Sequence, residues 1–480
     1  MHKAYAPRPQ VASPAPGPPG LPVVGNFFDL PTQEPWKAYQ GWSSKYGSDV
    51  IHLQVFNTHM LLVNSAKAAT DLFTKKSVIY SDRPRLPMIK EMIGLDWHFV
   101  YMNYGDEWRQ HRKVFTQHAS AFSPQKQLEW TKIFLRNLLV SPEDFVKHIQ
   151  HLASGSSLDV SFGLQVQPSG QPDPFIGAAK QVVQLITDAG IFGTYIVDFL
   201  PFLKWAPSFG PFASWKTQAR QWKAASETAA QVPWAVMKSA VESRDFTPSI
   251  ASQLQIEAQD GTVDAQVARQ AIAAMFASGS AATVSALTTF VLTMVLYPDV
   301  QKSAQEELDK VVGDLLPELS DEPNLPYITA IIREIGRWNP VAPLAFPHML
   351  TTDDVYNGYH LKAGSVVLPN TWAILHDAEV YPSPDTFNPA RFLTPEGKLD
   401  PLVKDPEAVW GYGRRVCPGR KIAVSEMFLA IAGTLKVFNI SVGEGNPRPG
   451  GEYGSGMLRY PKPFKCAIVP RSKAAVGLLE

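Results

Sequence analysis

The stretch from Gln270 to Pro298 carries no charged residue, and this constrains the fold more than any other feature of the chain. A helix of this length could cross a bilayer. Small polar residues at its centre dilute the hydropathy that membrane insertion requires. These are Ser278, Gly279, Ser280, Thr283, Ser285, Thr288 and Thr289. Because a helix that is apolar all round is otherwise the buried axis of a large protein, the sequence predicts a buried central helix, beside which a cofactor could lie.

Composition excludes several classes of protein. Of 480 residues, 45% are hydrophobic and 18% charged, which favours a large core over a disordered chain. Basic and acidic residues balance at 44 each, so we predict no nucleic-acid partner. The two cysteines, Cys417 and Cys466, are too few for a disulfide scaffold or a multi-cysteine zinc site.

The distribution of helix and strand signals predicts one mainly α domain with a minor β part. Helical patterns run from Trp108 to about Val312, and strand patterns are confined to short stretches around 50–63, 345–370 and 465–469. Ala423 to Val437 is predicted to form one amphipathic helix. Residues 34–480 are therefore predicted to form a single domain. Residues 1–33 are rich in proline and read either as a flexible tail or as a stiff hinge that follows a membrane anchor.

The surroundings of Cys417 indicate a reactive thiolate. Residues 410–420 read Trp-Gly-Tyr-Gly-Arg-Arg-Val-Cys-Pro-Gly-Arg, so three glycines permit tight turns and three arginines add positive charge. A helix is expected to begin near Lys421, and free N–H groups at a helix start stabilise a thiolate. Such a sulfur can bind a haem iron from one side. The plainer alternative is a buried structural cysteine.

This loop resembles the haem loop of the cytochrome P-450 family, F-x-x-G-x-R-x-C-x-G. Trp410, Gly413, Arg415, Cys417 and Gly419 stand at those spacings, with Trp410 in place of phenylalanine. The resemblance implies the cytochrome P-450 fold, in which haem b (iron protoporphyrin IX) lies between a long central helix and the cysteine loop. It also implies that Cys417 is the axial ligand of the haem iron.

Further family motifs follow in order along the chain. The resemblance implies that Arg415, together with Trp108 and Arg112 of a W-x-x-x-R helix, contacts the haem propionates. It assigns haem contacts to His348 and to the loop residues Trp410, Gly411 and Gly419 as well. Glu334 and Arg337 of an E-x-x-R motif, with Arg391 of Phe387-Asn388-Pro389-Ala390-Arg391-Phe392, are expected to form a structural triad.

The oxygen-side motif of the central helix departs from the family pattern A/G-G-x-D/E-T-T/S. Gly279 is present, but Ala281 and Ala282 replace the acid and the alcohol, and Thr283 fills the last place. Alanine cannot deliver protons, and Thr283 lies about 100° around the helix from position 282. Ser278 and Ser285 are nearer to that face and could order water, unless they bond to their own helix carbonyls. The sequence predicts impaired proton delivery.

The resemblance, to fungal microsomal members in particular, implies a monooxygenase of secondary metabolism. It would insert one atom of O2 into a hydrophobic or aromatic small molecule. No nucleotide-binding motif is visible, so electrons are expected from NADPH through a separate NADPH–cytochrome P-450 reductase, docked at Arg414, Arg420 and Lys421. Five segments should line the substrate pocket: 86–101, 185–202, 276–286, 341–346 and 456–458.

Two other functions remain open. The alanine pair favours peroxide-driven, radical-coupling or rearranging chemistry on the same haem, and a haem sensor or carrier is a third reading. The resemblance also implies a monomer on the cytosolic face of the endoplasmic reticulum membrane, with the membrane surface as a partner of the full-length form.

Overall fold

The computed structural model describes residues 13–119, 124–208 and 213–480, in which fifteen α-helices and nine short β-strands are present. The first twelve residues of the proline-rich segment lie outside the described residues. The predominance of helix confirms the predicted mainly α fold.

Ten of the helices precede or include the predicted central helix. They are α1 (Pro35–Tyr46), α2 (Ala66–Ala69), α3 (Ser77–Tyr80), α4 (Asp106–His118), α5 (Pro124–Val140), α6 (Phe145–Phe162), α7 (Pro174–Ala189), α8 (Ala213–Glu242), α9 (Ile250–Gln259) and α10 (Ala265–Leu296). Five follow it: α11 (Pro298–Val312), α12 (Pro326–Trp338), α13 (Thr371–Leu375), α14 (Arg420–Val437) and α15 (Lys473–Gly477). Two π-helical segments, Thr70–Lys75 and Pro87–Met92, lie between α2 and α4.

The strands form three small sheets at the edge of the helical body. They are β1 (Ser13–Pro14), β2 (Val50–Val55), β3 (Thr58–Val63), β4 (His348–Met349), β5 (Asp354–Tyr356), β6 (Tyr359–Leu361), β7 (Val366–Pro369), β8 (Phe438–Ser441) and β9 (Ala467–Pro470). The strand orders are β1-β6-β5, β2-β3-β7-β4 and β8-β9. The second sheet brings the early hairpin β2-β3 beside β7, so the two ends of the chain share one core.

Helix α10 is the predicted central helix and passes through two hydrophobic cores. Its first half, from Val267 to Ala281, packs in one core with α7, α8 and the second sheet. Its second half, from Val284 to Val295, packs in the other with α5, α11, α12 and α14. Among the described residues it alone is long and apolar enough to span a membrane, but 83% of its most apolar window is buried inside the protein. The burial confirms the prediction of a core axis.

Residues 13–33 of the predicted tail pack on the body of the protein. Strand β1 pairs in parallel with β6, and Ala15 is buried. The Asn26 side chain accepts a hydrogen bond from the backbone N–H of Gln54 at 3.0 Å and donates to the Pro18 carbonyl. This part of the proline-rich segment therefore has a fixed place beside β2.

The sequence reads Ala423–Val437 as amphipathic, and this reading is wrong. Every residue from Glu426 to Val437 of α14 is buried. The helix is enclosed because α5, α10 and α12 pack around it. The two charged side chains of this buried part have partners there: Lys436 Nζ lies 3.0 Å from Asp309 Oδ1, and Glu426 contacts hydroxyl groups of α6 and α10.

The three residues of the predicted triad meet without solvent between them. Glu334 and Arg337 have no exposed surface, and their side chains are joined by two hydrogen bonds of 2.7 and 2.8 Å. Arg391 Nε lies 3.2 Å from Oε1 of Glu334, an oxygen that also accepts from Arg337. The backbone N–H of Asn388 also donates to Glu334, at 2.8 Å. The triad thus ties α12 to the irregular segment 382–392, which runs toward the cysteine loop.

Candidate active site

The cysteine loop is held in place by the backbone of its neighbours. Gly411 and Gly413 have φ of 87° and 51°, a region that glycine adopts without strain. A Cβ on Gly413 would lie 1.9 Å from the Phe73 carbonyl oxygen, so the loop sits directly on the π-helical segment 70–75. The N–H of Cys417 donates to the Trp410 carbonyl at 2.6 Å. These contacts fix where the sulfur points.

Cys417 is exposed although protein surrounds it on most sides, so its sulfur lies on the wall of a space that the protein largely encloses. Burial raises the pKa of its thiol, while the N–H of Gly419 and the nearby Arg112 and Arg420 lower it. Burial dominates, so the positive surroundings that the sequence predicts do not by themselves favour the thiolate. A metal cation bound to the sulfur would supply the missing positive charge.

A cluster of basic side chains lies beside the loop. Arg83, Arg415 and His348 are all buried and electrostatically coupled, and Arg112 acts on Arg415 from α4. Burial and the neighbouring Arg83 lower the pKa of Arg415 to about 8. Burial likewise lowers the pKa of Arg83 to about 10. So many cations in one desolvated place require anionic partners.

Backbone carbonyls hold the two buried arginines in position. Arg415 donates to the carbonyls of Ser81 and Met102 at 2.8 Å each, and its guanidinium lies 4.5 Å from the Trp108 ring. Arg83 donates to Val100 at 2.8 Å and to Pro347 at 2.5 Å. Arg415 thereby fastens segment 81–105 to the loop, and Arg83 fastens the same segment to the residues just before β4. The sequence did not single out Arg83, because it stands in no motif of charged residues.

The remaining predicted haem contacts surround this cluster. His348 donates from Nδ1 to the Tyr80 carbonyl at 2.7 Å, which leaves Nε2 for another partner. Arg112 lies 5.8 Å from the Trp108 ring. The Trp410 ring is covered by Arg420 at 5.6 Å, and Gly419 lies beside the sulfur. The structure thus brings together Cys417, Arg415, Trp108, Arg112, His348, Trp410, Gly411 and Gly419.

These residues fit a haem. The donor set consists of one cysteine sulfur, a hydrophobic wall and a cluster of cations suited to two carboxylates. The hydroxyl of Tyr101 is a buried polar atom beside the cluster that also lacks a partner. The Tyr101 ring is 5.8 Å from Phe346. Burial raises the pKa of Tyr101, and the nearby Arg83 opposes this increase. Cys417 would hold the iron, and Arg83, Arg112, Arg415 and His348 would hold the propionates.

The middle of α10 has an open face. Ser278, Gly279 and Ala282 are exposed, whereas their neighbours on the same helix are buried. Ser278 and Ala282 are four residues apart and therefore share this face. Ala281 is buried, and its carbonyl accepts a hydrogen bond from Tyr460 at 2.9 Å. The open face is where the oxygen-side motif falls in the sequence.

Two hydroxyl groups that could have replaced the missing alcohol point elsewhere. Thr283 is buried, donates to the Gly279 carbonyl at 3.1 Å and contacts Glu426 of α14. Ser285 is buried and donates to the carbonyl of Arg459. Both therefore serve contacts inside the protein. Burial raises the pKa of Glu426 to about 7, and no sequence motif connects Glu426 with Thr283.

Ser278 is the hydroxyl that remains on the open face. Its Oγ lies 3.0 Å from Nε2 of His98, a buried residue in the segment between the π-helical turn 87–92 and α4. The pairing joins residues 180 positions apart in an irregular segment, so no sequence motif announces it.

The five segments predicted to line the substrate pocket meet in the first hydrophobic core. Aromatic and aliphatic residues from each of them pack in one cluster, among them Trp97, Phe99, Leu185, Phe192, Phe276, Leu344 and Met457. The cluster includes Ala281 on α10, next to the open face. The space beside Ser278 therefore has apolar walls.

Comparison with known proteins agrees with the motifs. Residues 15–468 match the family model described as Cytochrome P450. The chain is 38% identical to cytochrome P450 monooxygenase 98 of Postia placenta over 97% of its length and 92% of the relative. It is 37% identical to tryptamine 4-monooxygenase of Psilocybe cyanescens, over 95% of the chain and 93% of the relative. It is 35% identical to the monooxygenase ple1 of Rhodocybe pseudopiperita, over 97% and 91%.

Proposed function

Because the chain belongs to the cytochrome P450 family of monooxygenases, we propose that it inserts one oxygen atom of O2 into a hydrophobic or aromatic small molecule. The observation that carries the proposal is the placement of Cys417 at the wall of a largely enclosed space beside four basic side chains. The open face of α10 and the apolar core around it support the same function.

A haem b bound here would supply the oxygen-activating chemistry through its thiolate-ligated iron. The protein would position the cofactor, balance its charge and exclude water from it. Cys417 holds the sulfur at a fixed point of the loop, and the basic cluster balances the carboxylates of the cofactor. The apolar residues around α10 exclude water and leave room for an apolar substrate.

Aromatic residues are numerous in the core next to the open face of α10, which supports a substrate with an aromatic or extended hydrophobic body. Trp97, Phe99, Phe192 and Phe276 belong to the core that adjoins the open face. One relative is named for its action on tryptamine, an aromatic amine. Planar rings pack favourably against such side chains.

Electrons would come from NADPH through a separate NADPH–cytochrome P450 reductase. On the cysteine side, Arg414 is exposed, as is Lys421 at the start of α14. Arg420 lies between the two, 3.5 Å from Glu407. Opposite charges across a docking surface raise the rate of association.

Lys421→Glu should therefore raise the KM for reductase and leave peroxide-driven turnover unchanged, whereas Lys238→Glu on α8 should change neither.

We place the active protein as a monomer at the cytosolic face of the endoplasmic reticulum membrane, with residues 34–480 as one catalytic domain. Membership of the family supports association with a membrane. The relatives' names favour monooxygenase chemistry over the peroxide-driven alternative that the alanine pair suggested.

The test is turnover of an aromatic panel under two conditions. Compounds that shift the haem Soret band are first selected as ligands. Each is then incubated with NADPH, reductase and O2, or with hydrogen peroxide alone. The proposal predicts a hydroxylated product that needs reductase and carries oxygen from labelled O2. Product formed with peroxide alone, and none with reductase, would contradict it.

A further inference from the structure

His98 and Ser278 form a polar pair in an otherwise apolar part of the site. The ring of His98 is buried among Trp97, Phe99 and Tyr101, whose ring centroids lie 5.3 to 5.9 Å from its own. A polar side chain in such a place costs free energy unless its nitrogen atoms find partners. The pair therefore needs an explanation beyond packing.

The hydrogen bonds of His98 fix which nitrogen carries the proton. The backbone N–H of Val100 donates to Nδ1 at 3.3 Å, so Nδ1 is an acceptor. Burial lowers the pKa of His98 to about 4, and the ring is neutral near pH 7. A neutral ring with Nδ1 as acceptor carries its hydrogen on Nε2. Nε2–H therefore donates to Ser278 Oγ, across 3.0 Å.

This donation decides where the hydroxyl hydrogen of Ser278 goes. One lone pair of Oγ is occupied by His98, so the O–H bond turns away from the imidazole. Ser278 is exposed on the open face of α10, whereas Thr283 and Ser285 donate to backbone carbonyls inside the protein. In the described part of α10, Ser278 is thus the hydroxyl that remains on that face.

We propose that Ser278 is the hydrogen-bond donor of the open face of α10, that it holds a proton-carrying water or the small molecule bound there, and that His98 is its positioning residue. The pair replaces the function that Ala281 and Ala282 lack. Because His98 is neutral, it orients the serine and does not itself supply the proton. The proposal rests on the proposed haem function and adds to it the source of the hydrogen bond.

Carbon monoxide bound to the reduced haem protein is the probe. A donor that points at the bound gas lowers its infrared stretching frequency, because it draws electron density from the iron into the antibonding orbital of the C–O bond. Ser278→Ala should therefore raise the frequency. His98→Met and His98→Gln are a matched pair of similar length, and only glutamine retains an N–H. Methionine should raise the frequency, and glutamine should keep it near that of the unchanged protein.

Ser285→Ala is the control on the same helix, because its hydroxyl is bonded to the Arg459 carbonyl. It should leave the frequency unchanged. An unaltered frequency in Ser278→Ala overturns the proposal. A shift in Ser278→Ala with none in His98→Met overturns the role of His98. If all variants retain the visible spectrum of a thiolate-ligated haem, these two outcomes overturn the proposal for Ser278 and His98 and do not affect the proposed haem function. A chain that binds no haem would overturn both the proposal and the haem function.

Discussion

Glu334 is a carboxylate without exposed surface, held by two guanidinium groups and one backbone N–H. Removing it strands Arg337, which also has no exposed surface, as a buried charge with a lost partner. Breaking such a pair costs about 3–5 kcal/mol. We therefore predict that Glu334→Ala lowers the free energy of unfolding by that order, and that little folded, haem-loaded protein is recovered.

Glu306→Ala is the matched control, because Glu306 and its partner Lys302 are mostly exposed and 3.9 Å apart. Exposed pairs contribute about 0–1 kcal/mol. Haem content and the chemical unfolding midpoint should change little in this variant. Normal yield and stability of Glu334→Ala would show that the triad is dispensable.

Ala282 shares the open face with Ser278, one helical turn further on. A threonine there would place a hydroxyl on the face from which the alcohol is missing. We predict that Ser278→Ala increases the peroxide released per NADPH consumed, because an oriented donor is lost. Ala282→Thr added to Ser278→Ala should reverse this increase. If peroxide release is the same in all three proteins, proton supply does not pass through this face of α10.

At the residue scale, sequence motifs located the cysteine loop, the basic residues Arg112, Arg415 and His348, and the triad, because these side chains sit at fixed spacings. Their roles at the haem remain predictions, although the structure brings them together. The sequence missed Arg83, His98 and Glu426. Each is an isolated polar residue whose partners lie far away in the chain, 180 positions for His98 and 264 positions for Arg83, and no local pattern encodes such a contact.

Among the elements, the contact between the cysteine loop and the π-helical segment 70–75 can be tested with glycine substitutions. A Cβ at Gly413 would meet the Phe73 carbonyl oxygen at 1.9 Å, and φ is 51°. Gly413→Ala should therefore displace the loop and lower haem occupancy. At Gly419, which has φ of −88°, a Cβ would have contacts no closer than 3.8 Å. Gly419→Ala should retain more haem, and equal loss in both variants would contradict the steric argument.

Asp198 connects the segment between α7 and α8 to the π-helical turn Pro87–Met92. Its carboxylate accepts hydrogen bonds from the N–H groups of Met88 at 3.1 Å and Gly193 at 3.4 Å. Burial raises its pKa from 3.8 to about 7. At pH values between 3.8 and about 7, the Asp198 carboxyl binds more protons in the folded protein than in the unfolded chain. The contribution of this carboxyl to the free energy of unfolding therefore falls as the pH rises.

Asp198→Asn cannot titrate and isolates this contribution from that of the other titrating groups. We predict that the unchanged protein loses stability relative to Asp198→Asn as the pH rises from 5 to 8, by about 2 kcal/mol. The measurement is the difference between the two unfolding free energies at each pH. A difference that is constant over this range, or that grows in favour of the unchanged protein, would contradict the prediction.

An element was predicted correctly where the composition of its sequence allowed a single explanation. The uncharged stretch 270–298 was correctly predicted as a buried axis, because its serines and threonines can bond within the protein but are unsuited to lipid. The reading of α14 as amphipathic failed for a related reason. Glu426 and Lys436 look like a solvent face in sequence, yet the first contacts hydroxyl groups of α6 and α10 and the second pairs with Asp309.

The whole molecule is organised around the point where α10 passes from one hydrophobic core to the other. The first core, which contains the pocket segments, ends on α10 at Ala281, and the second begins at Val284. Ser278, Gly279 and Ala282 are exposed near this junction. The site is therefore the place where two cores leave α10 uncovered, a property of packing that no single segment of the sequence specifies.

The claim on which the account rests is that Cys417 is the thiolate ligand of a haem iron. The most direct measurement is the absorption spectrum of the reduced protein with carbon monoxide, for the unchanged chain, Cys417→His and Cys466→Ala. We predict that the unchanged chain and Cys466→Ala both give the long-wavelength Soret band of a thiolate-ligated haem. Cys417→His should give the shorter-wavelength band of a haem with an imidazole ligand. Retention of the long-wavelength band in Cys417→His, or its loss in Cys466→Ala, would contradict the account.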